Sequence, residues 1–285
     1  MGDIKTIGII GAGVMGSGIA QVFAQGRYAV ILLDCSPEAL QIAVDRLKNH
    51  IRLQYFFKDQ QPIESMDVIL ARVHFTTNYN DLNKADFVIE NAVEAWEIKQ
   101  EVYKKIDQIC PAKTVFGVNT STHPIAQIAE LTSRPSQVIG MHFMNPVPLK
   151  HTIEMIPSKY TSQDTVDISV KLLESIHKDV IQVQDNPGFV SNRLLMLLVN
   201  EAISLVAQGV AKAEDIDRIF TDCFEHKMGP LATADLIGLD TVLYSLASLY
   251  KNLKEEKFKP CPLLVQMVQN QQLGEKSGQG FYRYR

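Results

Sequence analysis

The 285-residue chain is 46% hydrophobic and carries a formal net charge of −4, from 28 Lys and Arg against 32 Asp and Glu. That apolar content supports a substantial buried core, in one large or two ordinary domains. A pI near 6.0 with scattered basic residues leaves no footprint for nucleic acid. No apolar run approaches the roughly 18 residues of a membrane span, and Met1 to Thr6 lacks a signal-peptide profile. The protein is therefore expected in the cytoplasm, without nucleic-acid or membrane partners.

The chain opens with a β-branched apolar run, Ile4 to Ile10, which flows into Gly11-Ala12-Gly13-Val14-Met15-Gly16 and an apolar-rich helix from Ser17 to Gln25. In such a strand–turn–helix unit the first Gly permits the tight turn. The second lets backbone approach a pyrophosphate, and the third allows close helix packing. A second strand, Tyr28 to Leu33, ends in Asp34, about 20 residues beyond the first Gly, where an acid would hold the adenosine ribose hydroxyls. Asp34 would repel a 2′-phosphate, and Cys35 and Ser36 supply no cation to offset it, so the expected cofactor is NAD rather than NADP. The competing role for Asp34 is an N-cap for the helix that starts near Pro37.

Leu40, Ala43, Val44 and Leu47 lie at helical spacing, so an amphipathic helix runs from Pro37 to Ile51 or beyond. It ends in the aromatic stretch Leu53-Gln54-Tyr55-Phe56-Phe57-Lys58. A short helix over Met66 to Arg72 and a short strand over Val73 to Thr76 follow. Asp86 to Val93 then reads as a buried strand that Glu94 terminates, before a helix from Glu97 to Ile109. Ligands of a doubly wound sheet sit beyond the carboxyl ends of its strands, which places Glu94 and Lys99 toward a cofactor. A solvated helix face is the alternative for that pair.

Val115 to Val118 is the next strand, and Ser121 lies beyond its carboxyl end with a hydroxyl able to donate to a substrate oxygen. Capping of the helix near Pro124 competes, with Thr122 the better candidate for the cap. A strand at Val138-Ile139 then leads into Gly140 to Glu154. There Pro146 and Pro148 fix a loop, and Thr152 to Ile156 returns as a strand. A strand end, a fixed turn and a returning strand can bring the His142 imidazole and the Glu154 carboxylate together, as a carboxylate-oriented base requires.

A helix from Asp164 to His177 and a strand from Asp179 to Gln184 end the alternation. Beyond the Asp185-Asn186-Pro187-Gly188-Phe189 turn the pattern is helical throughout. The expected architecture is α/β: a Rossmann-type doubly wound sheet over residues 1–184 and an all-α domain over 185–285. Within the latter, the segment from Val190 to Gln208 is apolar on almost every side. It reads as a central helix or a subunit interface, and a homodimer is predicted through these helices. The four cysteines, Cys35, Cys110, Cys223 and Cys261, form neither a zinc spacing nor a redox pair, and no metal site is expected.

With Gly11 to Gly16, Asn119-Thr120-Ser121, Met141 to Leu149, Asp185 to Phe189 followed by Asn192-Arg193, and Met228-Gly229-Pro230 leading to Asp235 to Asp240, the chain resembles the L-3-hydroxyacyl-CoA dehydrogenase family, which includes bacterial 3-hydroxybutyryl-CoA dehydrogenases. Lys276 to Tyr282 also looks like that family's ending, so the resemblance spans essentially the whole chain. It implies an N-terminal NAD-binding domain, a helical C-terminal dimerisation domain and an active site between them. It also implies His142 as catalytic base with Glu154 its partner, and Ser121 and Asn192 as holders of the substrate's oxygens. Gly11, Gly13, Val14, Met15, Gly16 and Asp34 would bind the cofactor, with Glu94, Lys99, Asn145 and Lys276 near its nicotinamide half.

The chain departs from the family after Asp34. Members acting on free CoA usually carry a hydroxyl and one or more Lys along the end of that helix, whereas this chain reads Asn49-His50-Ile51-Arg52 and continues to Lys58, which stands in for one family Lys. Two acyl carriers stay open on this reading, CoA and an acyl carrier protein, the latter as in glyceryl- or hydroxymalonyl-type extender-unit synthesis. A non-catalytic, crystallin-like relative is the alternative from another class. It has no physical need for His142, Glu154, Ser121 and Asn192 together.

Overall fold

The computed structural model describes residues 4–57 and 64–284. They divide into two units, 1–185 and 186–285. Lys58 lies outside the described residues.

The first unit is an eight-stranded sheet with helices on its connections. Its strands are β1 (Thr6–Ile10), β2 (Ala29–Leu33), β3 (Val73–Thr76), β4 (Phe87–Glu90), β5 (Val115–Val118), β6 (Val138–His142), β7 (Thr152–Pro157) and β8 (Asp179–Gln182). The order is β3-β2-β1-β4-β5-β6-β7-β8. All neighbours from β3 to β6 are parallel, β7 runs antiparallel to β6, and β8 is parallel to β7. Helices α1 (Val14–Gln25), α2 (Pro37–Phe57), α3 (Met66–Leu70), α4 (Trp96–Ile109), α5 (Ile125–Ala129) and α6 (Gln163–Glu174) connect them. This is a doubly wound, Rossmann-type frame, as the alternation of runs predicts.

The central strands are apolar on both sides because helices cover both faces. Ile7 and Ile9 of β1, Leu32 of β2, Phe87 and Ile89 of β4 and Phe23 of α1 are fully buried in one cluster. Burial of each such side chain contributes about 1.5–3 kcal/mol. The chain order reverses at the neighbouring β1 and β4, and in open α/β sheets that switch point is where the carboxyl ends of the strands leave a ligand crevice.

Two local expectations change, and the competing role for Asp34 falls to another residue. Strand β4 stops at Glu90 rather than continuing to Val93, because the Glu90 carboxylate folds back and accepts the Ala92 N–H at 2.7 Å, ending the ladder. Glu94 therefore stands on the following loop. The helix after Asp34 is capped by Ser36, whose hydroxyl accepts the Ala39 N–H, leaving Asp34 for the glycine turn. Thr122 does not cap α5. The Asp185 carboxylate accepts the Ile125 and Ala126 N–H groups at 2.9 and 2.8 Å, from 60 residues away.

The second unit is helical: α7 (Ser191–Ala207), α8 (Ala213–Phe224), α9 (Pro230–Ile237), α10 (Leu239–Leu253) and α11 (Pro262–Gln269). Met196, Val199 and Ile203 of α7 join Leu231, Leu239, Leu246 and Leu264 in its core. Helix α7 buries one stripe rather than its whole circumference, and Leu194 is 64% exposed. Among the described residues, no helix is long and apolar enough to cross a membrane.

Candidate active site

The glycine turn follows β1 directly. Gly11 has φ +90°, and a Cβ there would meet the Asn91 carbonyl oxygen at 2.5 Å; a Cβ on Gly16 would lie 1.8 Å from the Gly11 oxygen. Neither position admits a side chain. At Gly13 a Cβ would meet nothing within 4 Å, so the turn opens outward there. Gly13 is also the N-cap of α1 and provides no side-chain cap, which leaves first-turn N–H groups of that helix to an anion. Asp34 reaches back from the end of β2 and accepts the Ala12 N–H at 2.7 Å and the Ser36 N–H at 3.0 Å. These features fit a dinucleotide: an open, donor-lined turn beside a fixed carboxylate. Val14 is half exposed at the start of α1, with Met15 beside it packed on the core.

Beyond β4 and β5 the structure gathers a polar cluster. Glu94 accepts hydrogen bonds from the Thr120 hydroxyl at 2.8 Å and the Ser121 N–H at 2.8 Å. Lys99, on the first turn of α4, is completely buried. Its Nζ lies 2.9 Å from Glu90 and 3.5 Å from Glu94. The exposed helix face that the Glu–Lys spacing allows is thus replaced by a buried ion pair, and Lys99 reaches the site through carboxylates. Burial works against its ammonium, yet Glu90 and Glu94 outweigh that and hold it above its ordinary pKa. The Tyr103 hydroxyl donates to Glu90 at 3.2 Å and is kept protonated by its complete burial. His123 lies 3.7 Å from Glu94 and stacks near Trp96; burial lowers its pKa.

His142 ends β6 and stands in register with Glu154 of antiparallel β7. Its Nδ1 is 2.8 Å from Glu154 Oε2 and its Nε2 is 2.9 Å from Ser121 Oγ. Both residues are 7% exposed. With Glu154 ionised, the Nδ1 proton is fixed on the carboxylate side and Nε2 becomes the acceptor. The loop after His142 is held at its start by Asn119, which accepts the Phe143 N–H, and further on by Lys178, which donates to the Val147 carbonyl at 2.7 Å. Asn145 is exposed on this loop, before a cis bond to Pro146.

Ser121, His142, Glu154, Glu94 and Lys99 therefore come together in one unit. Asn192 and Lys276 belong to the other, where Asn192 lies in the first turn of α7 and Lys276 pairs with Asp240. Among the described residues no group of three or more His, Cys, Asp or Glu is arranged to hold a metal. Glu90, Thr120 and Asn119 also hold the site together, although the sequence pattern assigns none of them a role there. Glu90 carries a signal that could find it, as the one charge in a strand that is otherwise Phe-Val-Ile.

The model of the 3-hydroxyacyl-CoA dehydrogenase NAD binding domain matches residues 6–186, and that of the C-terminal domain matches 188–284. The chain belongs to the 3-hydroxyacyl-CoA dehydrogenase family. A probable 3-hydroxybutyryl-CoA dehydrogenase of Bacillus subtilis is 43% identical over 99% of this chain and 98% of its own length. A 3-hydroxybutyryl-CoA dehydrogenase of Clostridioides difficile is 41% identical over 98% of this chain and 99% of its own. The crystal structure of an (S)-3-hydroxybutyryl-CoA dehydrogenase from Ralstonia eutropha matches with a TM-score of 0.92 at 37% identity, over 99% of this chain and all of that one. As a member of this family the protein is an NAD-dependent oxidoreductase, and the glycine turn and Asp34 belong to its NAD-binding domain.

Proposed function

We propose that this 3-hydroxyacyl-CoA dehydrogenase family member interconverts a short 3-hydroxyacyl-CoA and its 3-oxoacyl form, with His142 as general base and acid. The observation that carries the proposal is the His142 imidazole held between Glu154 and Ser121, 2.8 and 2.9 Å away. NAD, when bound, supplies the hydride acceptor at C4 of its nicotinamide.

In oxidation, Nε2 of neutral His142 takes the proton of the C3 hydroxyl, and Glu154 orients the ring and stabilises the imidazolium. In reduction the same imidazolium returns that proton. Ser121 orients the reacting oxygen from the His142 side, its backbone fixed by Glu94. Asn192 is assigned the other hydrogen bond to the substrate's oxygens. Glu94 and Asn145 are assigned to the nicotinamide half of the cofactor with Lys276, and Lys99 acts through Glu94. Leu194 on α7 with Ile219 and Phe224 on α8, all exposed large apolar side chains, supports a homodimer through the helical unit.

The carrier separates two readings. Asn49-His50-Ile51-Arg52 on α2, where family members acting on CoA place a hydroxyl and Lys, favours an acyl carrier protein as the second reading. NADH oxidation with acetoacetyl-CoA against acetoacetyl–acyl carrier protein tests this. Faster turnover with CoA is expected. Turnover with the carrier protein alone would overturn the CoA assignment and keep the chemistry. Absence of NADH oxidation with every thioester tested, whatever its acyl chain, would instead favour the non-catalytic relative.

A further inference from the structure

The seam between α1 and α2 carries polar contacts beside its apolar packing. Ser17, Gln21 and Gln25 on α1, spaced four apart, are met from α2 by Arg46 at one end and Gln54 at the other. Gln54 accepts from Gln21 at 3.1 Å and Gln25 at 2.8 Å. At the other end of the ladder, Arg46 Nη1 donates to Ser17 Oγ at 3.2 Å and to the Ala12 carbonyl at 3.3 Å, and Ser17 Oγ donates to the same carbonyl at 3.0 Å.

Ala12 is the residue between the first two glycines of the dinucleotide turn. Its N–H is held by Asp34 at 2.7 Å and its C=O by Arg46 and Ser17, so the peptide groups on either side of its Cα are both fixed. Ala12 is 1% exposed, while the next residue, Gly13, opens onto space with nothing within 4 Å of its would-be Cβ. Arg46 thus meets the turn at its buried residue, Ala12, and not at the open Gly13. His50, one turn further along α2, feels the same cation: burial first, then the Arg46 charge, lowers its pKa.

We propose that Arg46 is a positioning residue for cofactor binding, pinning the Ala12 carbonyl so that the glycine turn is preset and placing a positive charge beside that turn. The inference rests on the reading of this turn as the NAD site. Its two parts differ in what they require. The pinning needs a donor at the Ala12 carbonyl, and the electrostatic part needs only a cation nearby. A turn fixed before the cofactor arrives has less ordering left to do on binding, so the effect belongs to affinity and not to the chemical step.

The test is NADH affinity measured by fluorescence titration for the full-length parent, Arg46→Met, Arg46→Lys and Gln25→Leu, with thermal melts and kcat at saturating NADH. Arg46→Met is expected to weaken NADH binding about three- to ten-fold, as loss of one hydrogen bond at a binding turn would. Its kcat should stay within about two-fold, and Arg46→Lys should recover part of the affinity. Gln25→Leu, which alters the far end of the same seam, should shift the melting temperature and leave NADH affinity unchanged. Parent-like affinity in Arg46→Met, or equal losses in Arg46→Met and Gln25→Leu, would overturn the proposal. A parent protein that fails to bind NADH at all would instead overturn the cofactor reading beneath it.

Discussion

His142 and Glu154 face one another across β6 and β7 in register, with Nδ1 and Oε2 2.8 Å apart and both side chains buried. The antiparallel return of β7 makes this possible. Twelve residues apart in sequence, the two are brought opposite by the loop that carries Asn145 and Pro146. Glu154→Gln keeps the shape but offers an amide that can donate to Nδ1 and favour the wrong tautomer. It should lower kcat by about 10²- to 10⁴-fold with little change in NADH affinity, measured by steady-state rates beside a binding titration.

Gly13 and Gly16 separate the demands of the fold from those of the cofactor. Gly16→Ala pushes a Cβ into the Gly11 oxygen at 1.8 Å, so both the melting temperature and NADH binding should fall. Gly13→Ala meets nothing within 4 Å, at an ordinary φ of −65°. Its melting temperature should match the parent while NADH affinity drops about tenfold or more, because the added methyl stands where the pyrophosphate approaches. Unchanged affinity in Gly13→Ala would move the cofactor away from this turn.

The buried Lys99–Glu90 pair should behave as a unit. Removing Lys99 leaves the buried Glu90 without its cation, which typically costs about 3–5 kcal/mol, and removing Glu90 leaves Lys99 only the more distant Glu94. Lys99→Met and Glu90→Gln should therefore each lower stability strongly in urea melts. The double variant should lose less than the sum of the two, by about 0.5–3 kcal/mol of coupling. Additive losses would show that the pair has no mutual role.

Two histidines should shape stability against pH. Burial lowers the pKa of both His50 and His123 below the ordinary 6.5. The unfolded chain then binds protons that the folded chain refuses. Stability is full above pH 6.5, falls as pH drops below it, and levels off once the depressed folded values are passed. Melts between neutral and mildly acidic pH should show this fall, and His123→Leu should shrink it. An identical pH slope in the variant would contradict the assignment.

The cysteines should react in an order set by burial. The Cys110 thiol is pushed up to about 12 by burial and stays protonated near neutral pH, whereas Cys35 and Cys223 are exposed. Alkylation of the folded protein followed by peptide mapping should label Cys35 and Cys223 first, because the thiolate is the nucleophile.

The doubly wound sheet is legible in the sequence because its strands are covered on both faces and read as unbroken apolar runs, Ile7 to Ile10 and Val30 to Leu33 among them. The His142–Glu154 encounter is legible too, since Pro146 and Pro148 force a loop between two short strands. What escapes is what depends on distant partners. Asp185 caps α5 across 60 residues, so no local pattern near Thr122 reveals it. Lys99 shares its buried face with Val102, Tyr103 and Ile106, and only the Glu90 carboxylate beneath explains a Lys in that stripe. Arg46 looks like an ordinary charge on a surface helix until α1 is packed against it.

The role of His142 is tested most directly by the rate of NADH oxidation with acetoacetyl-CoA at saturating NADH, for the parent and His142→Gln, with NADH affinity measured in parallel. If His142 is the base, the parent turns over, kcat of the variant is lower by about 10²- to 10⁴-fold, and NADH affinity is equal in both. Turnover by His142→Gln at the parent's rate would contradict that role.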